Sequence, residues 1–86
     1  MLINLTIESI HMLRDLINGK KQVEYAAEHF VSPASVSARV KRIENDLSIS
    51  LFETKGNAKV PTSMAYAMKP CLDDIVSGYE RLRQVL

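Results

Sequence analysis

The sequence predicts a mainly α fold, a winged helix-turn-helix of three helices and a two-stranded wing followed by a long C-terminal helix. Three observations predict it. Apolar residues recur at helical spacing in four segments, a very short turn joins the second segment to the third, and a Gly-Asn pair separates two short strand-like segments. A chain of 86 residues has room for one modest core, and we expect two units, residues 1–61 and the helix 62–86.

The first two helices are predicted from their caps and apolar stripes. Thr6 is a good N-cap for a helix that Asn18-Gly19 should end, and the second helix follows from about Gln22. The apolar face of the first helix comprises Ile7, Ile10, Leu13, Leu16 and Ile17. The stripe of the second helix comprises Val23, Ala26, Ala27 and Phe30, at the spacing that places residues on one helical face.

The third helix has the clearest start signal. In Ser32-Pro33, serine is a good N-cap, and proline fits the first helical position because the N–H it lacks would be unpaired there anyway. We expect the helix to run to about Asp46, with Val36, Val40, Ile43 and Leu47 facing inward. At about 100° per residue, the opposite face carries Ala34, Ser35, Ala38, Lys41 and Arg42, with Ser37 and Arg39 on its flanks.

The wing and the last helix follow. Leu51–Thr54 and Lys59-Val60 predict two strands around a Lys55-Gly56-Asn57 tip, and Thr62 caps a helix that Pro70 should kink. The apolar residues of that helix, separated by 4, 3, 4, 3 and 4 positions, are Met68, Leu72, Ile75, Tyr79, Leu82 and Leu86. This heptad seam predicts a dimerisation helix. Alternatively its first half, with Met64, folds back on the domain and only the second half pairs.

The composition excludes several function classes. No apolar run approaches the ~20 residues of a membrane-spanning helix. Cys71 is the only cysteine, which excludes an internal disulfide, fits a reducing cytoplasm and suggests a small buried residue. The sequence has no nucleophile motif, glycine-rich phosphate loop or metal-ligand cluster, so we expect no enzyme activity, cofactor or metal. A net charge of +1 does not by itself indicate nucleic-acid binding, so the evidence for such binding must come from the positions of the cations.

The order and spacing of these elements resemble a known family. The residues that carry the resemblance are Ala26-Ala27, Ser32 to Ser37, Val40, Ile43-Glu44, Leu47, Leu51-Phe52, Thr62 and Pro70. Together they resemble the N-terminal DNA-binding region of LysR-type bacterial transcriptional regulators, over essentially the whole chain. The turn between Ala27 and Ser37 is one residue shorter than in the family, and Thr54 stands where an arginine is usual. The large effector-binding domain of full-length members has no counterpart, which leaves an excised region or a small stand-alone relative.

The resemblance implies double-stranded DNA as the partner, with the third helix in the major groove. It places Pro33, Ala34, Ser37 and Ala38 near bases, and Ser35 shares their exposed face. Because alanine can touch only a thymine methyl group, we expect modest sequence discrimination. The expected phosphate contacts are Arg39, Lys41 and Arg42 on the helix and Lys55 and Lys59 on the wing.

The resemblance also implies a homodimer in which the C-terminal helices pair antiparallel and present two third helices to a pseudo-palindromic site. We expect no small-molecule effector site in this chain and no membrane partner. An alternative function uses the same fold as a protein-interaction module, which pairs through its C-terminal helix with another regulator and modulates it. The missing effector domain, the plain base-facing residues and the near-neutral charge favour that alternative.

Overall fold

The computed structural model describes residues 3–86; the first two residues of the predicted unit 1–61 lie outside the described residues. Over this range the chain forms four helices and one antiparallel two-stranded sheet. The elements are α1 Ile7–Ile17, α2 Gln22–Glu28, α3 Pro33–Leu47, β1 Phe52–Lys55, β2 Ala58–Pro61 and α4 Ser63–Val85. The predicted winged helix-turn-helix with a long C-terminal helix is confirmed.

The three predicted N-caps are confirmed. The side-chain oxygens of Thr6, Ser32 and Thr62 each accept a hydrogen bond from the backbone N–H three residues further on. Each cap satisfies one of the N–H groups that a helix start leaves unpaired, so the sequence marks these starts locally.

The first three helices end with a residue in the left-handed conformation. These residues are Gly19 after α1, Phe30 after α2 and Ser48 after α3, with φ of 108°, 57° and 55°. At each end two successive N–H groups return to carbonyls of the last helical turn, the hydrogen-bond pattern of the Schellman motif. Glycine adopts this conformation freely, whereas a residue with a Cβ atom incurs a cost of about 1–2 kcal/mol.

The core lies where α1, α2, α3 and the inner face of α4 meet. Its buried members are Met12, Leu13, Leu16, Ile17, Tyr25, Ala26, Val36, Val40, Ile43, Leu51, Ala65 and Leu72. Of the inward residues predicted on α3, the first three are buried and Leu47 packs partly against the core. The prediction for α1 missed Met12, which is completely buried.

The stripe predicted for α2 is wrong apart from Ala26. Val23, Ala27 and Phe30 are exposed, and Tyr25 is the large side chain that α2 adds to the core. The physical reason is the length of the helix. Because α2 ends at Glu28, Phe30 falls in the left-handed turn and no longer shares a helical face with Val23.

The wing is a tight hairpin. Lys55 of β1 pairs with Ala58 of β2, so Gly56-Asn57 forms the two-residue loop. Gly56 has φ of 61° while Asn57 does not have a positive φ, as in a type II′ turn, in which the first residue is usually glycine. Leu51 was predicted in the strand but lies just before it and is completely buried.

Two side chains attach the wing to the helices on either side of it. The Glu44 carboxylate on α3 accepts a hydrogen bond from the Leu51 N–H at 2.7 Å. The Thr62 hydroxyl donates to the Ser50 carbonyl at 2.6 Å, and the Thr62 N–H donates to the Leu51 carbonyl at 2.9 Å. The wing therefore has a defined position relative to α3.

Replacing Glu44 by alanine is expected to lower the free energy of unfolding by about 1.5–3 kcal/mol. The change removes a charged acceptor and leaves the N–H of the residue before the wing unpaired. Urea denaturation followed by circular dichroism measures this loss. Asp46→Ala, an exposed change on the same helix, is the matched control and should change the stability by less than about 0.5 kcal/mol. Equal stability of the two variants would contradict the structural role of Glu44.

The last helix, α4, is continuous through Pro70, and it packs along α1. Ala65, Leu72 and Val76 are its buried residues, so its inner face completes the core of the helix-turn-helix. Cys71 is exposed, so the prediction that it is buried is wrong. Within residues 3–86, no helix combines the length and the apolar character needed to cross a membrane.

Candidate nucleic-acid interface

The outward face of α3 is the predicted contact surface. Pro33, Ala34, Ser35, Ala38, Lys41 and Arg42 are all exposed on it, while Ser37 and Arg39 are half-buried at its edges. This division matches the helical geometry expected from the sequence. The α3 cap, the core contacts of Val40 and the hydrogen bond of Glu44 together fix the orientation of this face.

The first turn of this face has little hydrogen-bonding capacity. Ala34 has none beyond the backbone, nor does Ala38 one turn further on, and the Ser35 hydroxyl already lies 2.9 Å from the Ser32 hydroxyl. The Ser32 hydroxyl in turn caps the helix. The chemistry that the first turn offers to a base edge is therefore mainly apolar contact.

The cations on the second half of α3 are free. Among residues 3–86, neither Lys41 nor Arg42 has a carboxylate within ion-pair distance, and both are exposed. By contrast, the Lys20 ammonium group lies 2.5 Å from the Glu28 carboxylate. That hydrogen bond is the main cause of the raised pKa of Lys20. The charges of Lys41 and Arg42 thus remain available to an external anion.

Arg39 differs from Lys41 and Arg42 in its surroundings. It is half-buried and lines a cleft of about 380 Å³ between α1, α2 and α3, together with Glu8, Asp15 and Tyr25. Burial raises the pKa of Tyr25, and the nearby guanidinium group of Arg39 opposes that shift. Arg39 therefore faces acidic and aromatic side chains of its own domain, a different setting from the one expected for a phosphate contact.

The two predicted cations on the wing differ in their ion pairing. The Lys55 ammonium group lies 3.8 Å from the Glu53 carboxylate, whereas Lys59 makes no ion pair within residues 3–86. Lys59 and Lys21 line one groove between the wing and the start of α2. Lys21 was not among the predicted contacts, and its only signal in the sequence is the Lys20-Lys21 pair.

The predicted seam on α4 is shorter than the heptad pattern indicates. Leu72 is only 3% exposed and belongs to the core, and Met68 packs partly against it, so the assignment of these two residues to a dimer surface is corrected. The Tyr79 ring also contacts its own domain, because it forms a T-shaped pair with the His11 ring at a centroid distance of 5.9 Å. The exposed apolar residues that remain are Ile75 at 44%, Leu82 at 53% and Leu86 at 94%.

Potential metal ligands are dispersed over the described residues. Among residues 3–86, no three histidine, cysteine, aspartate or glutamate side chains come close enough together to hold a metal ion. The two histidines contact different aromatic rings: His11 meets Tyr79 edge-on, and His29 stacks on Tyr25 at a centroid distance of 4.0 Å.

Comparisons with known proteins identify the fold. No protein-family model matches the sequence, and no curated protein matches it. Among solved structures, the chain is similar to the BenM DNA-binding domain in complex with benA site 1 DNA, with a TM-score of 0.83 and 11% identity over 94% of this chain and 91% of that one. It is also similar to a full-length OxyR variant from Pseudomonas aeruginosa, with a TM-score of 0.82 and 18% identity over 95% of this chain and 28% of that one.

A third similar structure is VV2_1132, a LysR family transcriptional regulator, with a TM-score of 0.80 and 15% identity. The match covers 95% of this chain but only 28% of that protein. This chain therefore spans about a quarter of the length of these full-length relatives. At this level of identity the likeness concerns the fold. The described residues have the winged helix-turn-helix and long C-terminal helix found in LysR-family regulators.

Proposed function

We propose that this chain binds double-stranded DNA as a homodimer and is the DNA-binding region of a LysR-type transcriptional regulator, or a small stand-alone relative. One observation carries the proposal: an exposed α3 face on which Lys41 and Arg42 have no ion-pair partner within residues 3–86. The fold is that of the BenM DNA-binding domain, which was solved in complex with DNA. The similar proteins are transcriptional regulators, which supports a role without catalysis.

In this proposal α3 enters the major groove with its first turn toward the bases. Pro33, Ala34, Ser35, Ser37 and Ala38 are the base-facing set. Lys41 and Arg42 hold phosphates on one side, and Lys59 with the newly identified Lys21 holds the backbone beside the wing. Arg39 and Lys55 are weaker candidates, because Arg39 is half-buried in a cleft that Glu8 and Asp15 also line, and Lys55 lies near Glu53.

The homodimer forms through the exposed end of α4. Ile75, Leu82 and Leu86 give that end an apolar strip, although each is open to solvent in the isolated chain. Pairing of two such strips would remove this surface from water. It would also set the distance between two α3 helices, and hence the half-site spacing.

The second candidate function, a module that pairs with another regulator, is favoured by the same strip on α4 and by the scarcity of hydrogen-bonding groups on the first turn of α3. The two functions differ in what they require of α3. DNA binding needs the cations of its exposed face, whereas pairing through α4 does not.

A salt titration tests the proposed function. The probe is a duplex enriched by selection from random DNA. Its affinity is measured by fluorescence anisotropy between roughly 50 and 200 mM salt, a range over which the affinity of DNA-binding proteins falls steeply. If each protomer supplies about four phosphate contacts, the logarithm of the affinity should fall with a slope of about −7 against the logarithm of salt. A shuffled duplex should bind with the same slope and a modestly lower affinity. A slope near zero would contradict DNA binding through these cations.

A further inference from the structure

Phe30 has no role in the fold that explains its presence. Its side chain is 95% exposed, so it contributes nothing to the core, and its backbone has a left-handed φ of 57°. Glycine is the usual residue at this position of a Schellman motif, because it has no Cβ to clash. A large apolar side chain is thus held in water, in a conformation that disfavours it.

The position of Phe30 relates it to the surface proposed for DNA. It lies two residues before Ser32, the cap of α3, and the first turn of α3 carries Pro33 and Ala34. The turn that holds Phe30 is well defined, because the N–H groups of Phe30 and Val31 both return to carbonyls of α2. An exposed ring therefore stands on a fixed turn at the start of the helix that would read the bases.

The chemistry of the site favours an apolar contact with a base. The first turn of α3 offers mainly apolar contacts, and phenylalanine is among the side chains that touch the methyl group of thymine in the major groove. A protein partner would instead need a contiguous apolar patch. Around the turn, the apolar surface is limited to Phe30 and the 45% exposed Val31, and the exposed polar residues Glu28, His29 and Ser32 lie on either side of them in the chain.

We propose that Phe30 contacts a thymine methyl group at the edge of each half-site, which makes it a specificity-determining residue. This inference rests on the proposed function. The strained backbone places the ring beside the groove at a cost in stability, as is common where a strained residue serves a function.

The experiment compares wild-type protein with Phe30→Gly and Phe30→Asn, two changes that suit the left-handed conformation. Affinity is measured on a selected duplex and on duplexes in which deoxyuridine replaces one thymine at a time, which removes a single methyl group per half-site. We expect Phe30→Gly to raise the melting temperature by about 4–8 °C and to weaken binding about tenfold. At one thymine position, deoxyuridine should weaken binding of the wild type and leave both variants unaffected.

Ser48→Gly is the matched control, because it relieves the same backbone conformation at the other end of α3. It should raise the melting temperature without changing the affinity; an equal loss of affinity would overturn the inference. The inference would also be overturned if the Phe30 variants remain sensitive to deoxyuridine at every position where the wild type is sensitive. If the Phe30 variants change self-association but keep the DNA affinity of the wild type, Phe30 lies in a protein contact. That result also overturns the inference.

The outcome is separable from that of the proposed function. If Lys41→Ala weakens binding and Phe30→Gly does not, the proposed function stands and the inference about Phe30 is wrong. If wild-type protein shows no salt-dependent binding to any selected duplex, the proposed function fails, and the inference fails with it.

Discussion

Replacing Lys41 and Arg42 together by alanine is expected to weaken binding to duplex DNA by roughly a hundredfold or more. Both side chains are exposed, and neither has an ion-pair partner within residues 3–86, so the change removes charge available to phosphate without disturbing the core. Because a dimer presents each cation twice, the salt slope should also become shallower by about 3–4. Anisotropy titrations at several salt concentrations measure both effects.

The matched control for this change is Arg81→Ala with Arg83→Ala. It alters the net charge by the same amount on the exposed surface of α4, and the ion pair that it removes, Arg83 with Glu80, is exposed and contributes little. Sedimentation checks that the control still has the oligomeric state of the wild type. The control should lose less than about threefold in affinity. Equal losses in the two variants would mean that overall charge, and not the α3 face, governs binding.

The double change also separates the two candidate functions. If the chain acts only by pairing with another regulator through α4, removal of Lys41 and Arg42 leaves that activity intact. Loss of DNA binding with unchanged self-association would support the DNA-binding function. Retention of full DNA affinity would contradict the role given to these two cations.

Replacing Ile75 and Leu82 by aspartate is expected to yield a folded monomer with at least ~100-fold weaker DNA binding. The two side chains are 44% and 53% exposed in the isolated chain, so aspartate at either position can remain in water when the chain is a monomer. In a dimer the same carboxylates would lie in an apolar contact, where burying an unpaired charge is costly. Sedimentation and circular dichroism measure the oligomeric state and the helix content.

Ser77→Asp with Gln84→Asp is the control, because it adds the same charge to other exposed positions of α4, more than 100° around the helix from the two apolar residues. This variant should remain a dimer and keep its affinity. A dimer that persists after Ile75 and Leu82 are changed would refute the assignment of the dimer surface to the exposed end of α4.

Much of the fold was predictable because its signals are local. Thr6, Ser32 and Thr62 mark helix starts through hydrogen bonds that reach only three residues along the chain. The exposed face of α3 was also predictable, because a helix of 15 residues with three well-spaced apolar positions has one consistent orientation.

Other features depended on packing between elements. The heptad spacing on α4 groups Leu72 with Ile75 and Leu82, but α1 covers the first of these and leaves the other two in solvent. The spacing of α2 was misleading for a related reason, because seven residues are too few for a stripe to define an inner face. Lys21 and Lys59 line one groove only because the tertiary structure places the wing opposite the start of α2.

The winged helix-turn-helix, the helix starts and the outward face of α3 could therefore be predicted from the sequence, since caps, turn residues and helical spacing act over a few residues. Three properties required the folded structure: which cations remain unpaired, how much of α4 is free to pair, and the exposure of Phe30 in a strained turn. These three properties depend on contacts between residues distant in the chain, or on the residue at which a short helix ends, and the apolar pattern of one segment does not encode them.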